Sequence, residues 1–190
     1  LLSGDIGSDS RVLYNREVEK RAKMALPFLK FDEDPYLIVT DNGELKWMLD
    51  GYTTTARYPY AQALADGTTY MRNSIKVVID AYDGSVTAYL VDGADPIAQT
   101  YSKIFPGLGL PCLVWASVLR AHMRDPSDLF EVQAQLYTTY HMDAPETFYH
   151  REDQWQIPAV GDKADATGRF MRHIVMKLPG ERAAEYIYMA

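Results

Sequence analysis

The sequence is poor in the residues and motifs that point most directly to a chemistry. Cys112 is the only cysteine in 190 residues, so neither an intrachain disulfide nor a cluster of thiolate metal ligands can form. The sequence has no Gly-x-Gly-x-x-Gly run, no phosphate-binding loop, no Gly-x-Ser-x-Gly elbow and no His-Glu-x-x-His motif. It therefore identifies no catalytic residue, and we expect no metal and no cofactor.

Positive charge is also scarce. Lys and Arg number 19 against 26 Asp and Glu, which gives a formal net charge of −7. A protein that binds the phosphate backbone of a nucleic acid needs a basic face, and anionic lipid headgroups attract basic segments in the same way. We expect no nucleic-acid partner and no docking onto anionic headgroups.

Long hydrophobic runs are missing as well. The most apolar window, residues 107–119, is interrupted by Pro111 and is about a dozen residues long, against roughly 20 that cross a bilayer. The chain opens without an initiator Met and without a basic segment of a signal peptide. We therefore expect no membrane-spanning helix here, and we interpret the chain as a piece of a longer protein.

The composition that is present is typical of a globular domain. Apolar residues make up 47% and charged residues 24% of the sequence, which is enough apolar material for a core. Residues 1–10, rich in Gly, Ser and Asp, are predicted to be a loose N-terminal segment. Residues 11–190 are predicted to form one α+β domain.

Two β-hairpins are the clearest local signal. The first spans about 36–49, where Asn42-Gly43 between two strand-like runs fits a type I′ turn. The second spans about 73–91 around Asp83-Gly84. Together they predict an antiparallel sheet of four strands with a helix from about 15 to 29 packed on its apolar face.

A helical segment follows, over about 95–150. Asp95-Pro96 and Asp125-Pro126 each place a capping carboxylate before a proline at the first helical position. They predict helices that run to about residue 105 and residue 141. A further helix is predicted over 113–123 and a short one over 145–150, and strands are predicted over 172–178 and 185–189.

The connection between the hairpins, residues 51–69, is long and rich in aromatic residues. Tyr52, Arg57, Tyr58 and Tyr60 lie in it, and Tyr and Arg are enriched at recognition surfaces. These four residues are the predicted binding residues. The alternative is that the tyrosines pack at the edges of the sheet with their hydroxyls in water.

Carboxylates and histidines offer a second, catalytic interpretation. Asp83 is explained by its turn and Asp95 by its helix cap, which leaves Asp80 and Asp92, and the second hairpin is expected to bring these two near each other as acid–base catalysts. A second cluster follows the long helix: His141, Asp143, Glu146, His150, Glu152 and Asp153. It matches no known ligand spacing, and a helix C-terminus at His141 explains it more simply.

Six long and unusual stretches cover nearly the whole chain beyond residue 10: 14–36 (YNREVEKRAKMALPFLKFDEDPY), 50–62 (DGYTTTARYPYAQ), 70–92 (YMRNSIKVVIDAYDGSVTAYLVD), 95–108 (DPIAQTYSKIFPGL), 124–158 (RDPSDLFEVQAQLYTTYHMDAPETFYHREDQWQIP) and 177–189. These stretches resemble the large bacterial membrane proteins grouped as uncharacterised protein family 0182. The resemblance implies N-terminal transmembrane helices, absent from this chain, followed by a water-exposed extracytoplasmic region of which this chain is a part.

Two functions are compatible with these observations. The first is a non-catalytic extracytoplasmic binding or assembly module of a bacterial integral membrane protein, with an unknown protein or envelope component as partner. The second is a hydrolase acting on the cell envelope through Asp80 and Asp92 or through residues 141–153. The resemblance supplies no catalytic residue for either, because the family has no established activity.

Overall fold

The chain divides into two compact units, residues 1–123 and residues 124–190. The structure is a computed structural model, and it describes residues 4, 7–10, 12, 14–106, 110–111, 117–158 and 172–189. The sequence predicts one domain from residue 11 to residue 190, whereas each of the two units contains its own sheet. The α+β class is confirmed.

Within the described part of the first unit, six strands form one mixed sheet: β1 (Lys30–Phe31), β2 (Tyr36–Val39), β3 (Leu45–Thr55), β4 (Tyr70–Asp80), β5 (Val86–Leu90) and β6 (Leu110–Pro111). The strand order is β1-β3-β4-β5-β6, and β2 pairs with the other half of β3. All pairs are antiparallel except β5 with β6. The two predicted hairpins and their pairing into one sheet are confirmed.

The turn between β2 and β3 differs from the predicted one. A type I′ turn needs a positive φ at both central residues, but only Gly43, at 80°, has one among residues 41–43. The Thr40 N–H donates to Glu44 O across 2.9 Å, so the loop contains three residues. The predicted type I′ turn is wrong, because a three-residue loop needs the left-handed conformation at its glycine only.

Both faces of the paired strands β3 and β4 are covered by other side chains. On one face, residues from β3, β4 and β5 pack with residues of the first two helices and the segment before β1; the buried members are Ala22, Leu26, Leu29, Phe31, Leu49, Ile75, Val77, Ile79, Ala88 and Ala98. On the other face, a smaller cluster contains Tyr36, Ile38, Met48 and Val78. Because side chains alternate along a strand, residues 74–79 of β4 are all buried.

The described residues of this unit form three helices: α1 (Val18–Ala25), α2 (Pro96–Ile104) and α3 (Ser117–Ala121). Helix α1 is shorter than predicted and ends with Leu26 as its C-cap, directly before Pro27, which cannot continue a helix without losing a hydrogen bond. The predicted cap of α2 is confirmed, since the Asp95 carboxylate accepts a hydrogen bond from the Ile97 N–H. Of the predicted helix over 113–123, the structure describes residues 117–123, and helix α3 ends two residues before the predicted end.

The second unit contains the helices α4 (Ser127–Tyr140) and α5 (Pro145–His150) and the antiparallel strands β7 (Arg172–Met176) and β8 (Glu185–Met189). These elements confirm the predicted helices and strands. The predicted cap at Asp125 is wrong, because α4 begins one residue later, with Pro126 as its N-cap and no side-chain cap.

Candidate functional site

The predicted connection of residues 51–69 is partly strand. Strand β3 continues to Thr55, and Tyr52 lies within it, fully buried at 0% exposure. Its hydroxyl donates to Asp32 Oδ2 across 2.5 Å. Tyr52 therefore belongs to the interior and not to the predicted binding surface, because the strand continues to Thr55, six residues beyond the predicted end of the hairpin at residue 49.

The remaining loop, residues 56–69, is fastened at its base by two threonines. The Thr69 N–H donates to Thr55 O across 2.9 Å, and this hydrogen bond joins the two ends of the loop next to the last residue pair of β3 and β4. The Tyr58 N–H donates to Thr69 Oγ1 at 2.9 Å, and the Arg57 N–H donates to Thr55 Oγ1 at 3.1 Å. Two hydrogen bonds to these threonines thus hold the backbone at Arg57 and Tyr58, and a third joins the two threonines to each other.

The loop presents its aromatic side chains outward. Tyr60 is fully exposed and has a φ of 59°, in the left-handed region that a bulky residue rarely adopts. Tyr58 is half-exposed and stacks on Tyr70, with ring centroids 5.6 Å apart. Arg57 is exposed beside them. We call Arg57, Tyr58, Tyr60 and Tyr70 the loop surface.

A buried carboxylate fixes the base of the loop surface. The Tyr70 hydroxyl donates to Asp95 Oδ1 at 2.9 Å, and the Ile97 N–H donates to the same oxygen at 3.0 Å. Asp95 Oδ2 accepts hydrogen bonds from the Thr53 hydroxyl and from Ser74 Oγ, the latter at 2.5 Å. Four donors thus surround a carboxylate that is 0% exposed.

These contacts set the ionisation states of Asp95 and Tyr70. Burial raises the pKa of Asp95, but the hydrogen bonds from Ser74, Thr53, Tyr70 and the Ile97 N–H outweigh it and hold the pKa below its ordinary value. Burial raises the pKa of Tyr70, and the Asp95 carboxylate raises it further, although Arg72 acts in the opposite direction. Tyr70 therefore stays protonated and donates to an ionised Asp95.

A buried ion pair near the middle of the sheet was missed by the sequence analysis. Asp50 and Lys76 are directly opposite each other on β3 and β4, and the Lys76 ammonium contacts Asp50 Oδ1. Both side chains are buried, Lys76 to 1% exposure. The sequence signal is one charge of each sign within two runs that are otherwise largely apolar, and only the strand register shows that they meet.

Asp80 and Asp92 do not come together as expected. Asp80 pairs with Lys46, whereas Asp92 pairs with Arg72, Oδ2 to Nε, at 2.6 Å. Arg72 and Asp80 lie towards opposite ends of β4, roughly 25 Å apart at about 3.3 Å per residue. The expectation that the hairpin joins the two carboxylates is wrong, because they flank different ends of it.

The contacts of His141 are those of a residue at a helix C-terminus. His141 is the C-cap residue of α4, as predicted; its Nδ1 lies 3.0 Å from Tyr137 O and its Nε2 lies 3.7 Å from Asp153 Oδ2. Among the described residues, no three His, Cys, Asp or Glu side chains converge as metal ligands. Cys112 lies outside the described residues.

Comparison with known proteins gives one family over the whole length. The family described as "Uncharacterised protein family (UPF0182)" matches residues 1–190. Proteins named "UPF0182 protein" are similar to the chain: 48% identity over 189 residues in Geobacter sulfurreducens, 46% over 189 in Geotalea uraniireducens and 47% over 191 in Moorella thermoacetica.

The alignments cover 100% of this chain but 21% of each of these relatives. The chain therefore spans about one fifth of the length of the curated relatives it matches. No solved structure matches the chain. In the part of the chain that the structure describes, no helix is long and apolar enough to cross a membrane.

Proposed function

Since this chain belongs to the uncharacterised protein family UPF0182, we propose that it is a non-catalytic binding or assembly module of a larger bacterial membrane protein. The partner is a protein or an envelope component, and it contacts the loop surface. The extracytoplasmic location within this proposal rests on the family resemblance of the sequence stretches.

The observation that carries the proposal is a fully exposed Tyr60 held at a positive φ. Such a conformation costs about 1–3 kcal/mol, and an exposed aromatic ring adds an unfavourable contact with water. Neither cost is offset by burial of the ring in the chain itself. Binding a partner would bury Tyr60 and the stacked Tyr58, and it would recover part of this free energy.

The rigidity of the loop surface supports the same function. Two hydrogen bonds fix the backbone at Arg57 and Tyr58, and a hydrogen bond to Asp95 fixes the Tyr70 ring under Tyr58. A preorganised surface loses less conformational entropy on binding. The neighbouring Asp95 carboxylate already accepts four hydrogen bonds from the protein. These contacts stabilise the fold, and they leave the buried carboxylate no free position at which it could accept a proton from a substrate.

Site-specific photocrosslinking in the full-length protein tests the proposal. A photoreactive phenylalanine analogue replaces Tyr60 in one variant and Tyr82 in a matched control, because Tyr82 is also exposed, at 69%, but lies in the β4–β5 turn. Irradiation of cells should give a discrete crosslinked species from position 60 and none from position 82.

The crosslink must also depend on the neighbouring side chains. Replacing Arg57 and Tyr58 with alanine should remove the species formed from position 60 while the protein level in the membrane fraction stays unchanged. Equal crosslinking from positions 60 and 82, or a crosslink that survives both replacements, would assign the partner to another surface and overturn the proposal.

A further inference from the structure

The second unit contains an aromatic groove that is separate from the loop surface. It has a volume of about 570 Å³, within the range of about 300–1,000 Å³ for small-molecule sites. One side of α4, the segment after α5 and the end of β8 form its walls. Its lining residues are Phe130, Gln133, Ala134, Tyr137, Thr138, Trp155, Gln156, Ile157, Pro158, Tyr188 and Met189.

The Trp155 ring in this aromatic groove is fixed by contacts with neighbouring side chains. The Trp155 indole stacks on the His141 imidazole, with ring centroids 3.8 Å apart, and meets Tyr137 edge-on at 5.9 Å. The Trp155 N–H of the backbone donates to Thr138 O at 3.0 Å. Nevertheless, 51% of Trp155 remains exposed. The indole is therefore fixed in position and still accessible to a ligand from solvent.

The other aromatic wall is also a packed pair. The Phe130 and Tyr188 rings meet edge to face, with centroids 4.5 Å apart. This contact joins α4 to β8 and sets the distance between two sides of the aromatic groove. The rings are therefore in place before any ligand arrives, which lowers the entropy lost on binding.

The described lining is mainly aromatic and apolar, and its few polar groups are uncharged. None of the described lining side chains carries an ionised group at neutral pH. Gln133 and Gln156 each provide an amide that donates and accepts hydrogen bonds, and the Thr138 hydroxyl, which donates to Gln135 O, can accept one. A charged ligand would find no counter-charge among the described lining residues. A purely apolar ligand would leave the amides without partners, which costs free energy.

We propose that the aromatic groove binds a neutral oligosaccharide. A pyranose ring has a flat face of C–H groups that packs on an indole, and hydroxyls at its rim that both donate and accept. This matches a groove lined by an exposed Trp155 and by the Gln133 and Gln156 amides. A proline-rich peptide, the other common ligand of aromatic grooves, offers chiefly carbonyl acceptors. It would pair with the NH₂ donors of the glutamine amides and leave their carbonyl oxygens without a partner.

Isothermal titration of the 190-residue chain with chitotetraose, an uncharged tetramer of N-acetylglucosamine, tests this proposal. Saturable binding is expected. Trp155→Ala should weaken it about tenfold or more, because the stacking platform is lost. Tyr149→Ala is the matched control, since Tyr149 is an aromatic residue of the same unit that is 83% exposed and does not line the groove, and it should bind as the parent does.

A second variant decides the result if Trp155→Ala fails to give the parent circular dichroism spectrum. Gln133→Ala keeps every ring and should weaken binding about threefold to tenfold through the lost hydrogen bonds. The proposal is overturned by an absence of saturable binding at millimolar sugar, by binding that neither variant weakens, or by saturable binding of decaproline in place of the sugar.

Discussion

At the scale of single residues, Asp95 connects the helix cap, the sheet and the loop surface. Asp95→Ala removes the cap of α2 and leaves the buried Thr53 and Ser74 hydroxyls without their acceptor. We expect the free energy of unfolding to fall by about 3 kcal/mol, measured by urea denaturation.

Asp83→Ala is the comparison for this prediction. The Asp83 carboxylate accepts one hydrogen bond, from the Ser85 N–H at 2.8 Å, in an exposed turn. Its removal should cost about 0.5 kcal/mol. Similar losses in the two variants would mean that the Asp95 network contributes no more than an ordinary surface turn.

Asp80 gives the protein a defined sensitivity to acid. The Lys46 ammonium, and then the N–H groups of Asp83 and Tyr82, lower the pKa of Asp80 from 3.8 to about 2. Because the folded pKa is the lower one, the stabilisation is complete above pH 3.8 and is lost as the pH falls towards about 2.

The substitution Asp80→Asn isolates this effect. At neutral pH the variant should be less stable than the parent, because Lys46 loses one of its two carboxylate partners and keeps only Glu44. The difference in free energy of unfolding between the two proteins should shrink as the pH falls from 3.8 to about 2. Chemical denaturation across that interval measures it, and a constant difference would contradict the prediction.

At the scale of elements, the two hairpin turns use glycine under different constraints. Gly43 and Gly84 both have positive φ, 80° and 72°. A Cβ at Gly43 would have nothing within 4 Å, whereas a Cβ at Gly84 would lie 2.6 Å from Arg21 Cζ. Arg21 donates to the carbonyl oxygens of Gly84 at 2.6 Å and of Asn15 at 3.1 Å, so it connects the turn with the segment before α1.

We therefore expect graded costs in three alanine variants. Gly43→Ala should lower the free energy of unfolding by about 1 kcal/mol, for the backbone alone. Gly84→Ala should cost about 2–3 kcal/mol, because Arg21 must also leave its carbonyl acceptors. Gly93→Ala, with an open position and no positive φ, should change little. Equal costs at Gly43 and Gly84 in thermal or urea unfolding would contradict this order.

The elements also show which features a sequence can predict. Hairpins and the cap at Asp95 depend on neighbours within a few residues, and both were predicted correctly. The buried positions of Tyr52 and of the Asp50–Lys76 pair depend on the pairing of distant strands, which the local pattern does not contain. The same limit applies to the candidate site: Arg57, Tyr58 and Tyr60 follow from residue type, but Tyr70 and Asp95 beneath them follow only from the fold.

At the scale of the whole molecule, the proposed location makes a direct prediction. Tyr82→Cys places a thiol at an exposed position of the β4–β5 turn. In spheroplasts that express the full-length protein, a membrane-impermeant maleimide should label this variant before lysis. The full-length protein without the substitution gives the background, and labelling that requires lysis would assign the segment to the cytoplasm.

The Asp50–Lys76 pair also affects the register in which β3 pairs with β4. If β3 slid by one or two positions along β4, the ammonium would face apolar neighbours in a dry interior without its counter-ion, at a cost of several kcal/mol. Slippage that an all-aliphatic hairpin would tolerate is thereby penalised. The buried pair of opposite charges thus favours the observed register of β3 and β4 over the shifted ones.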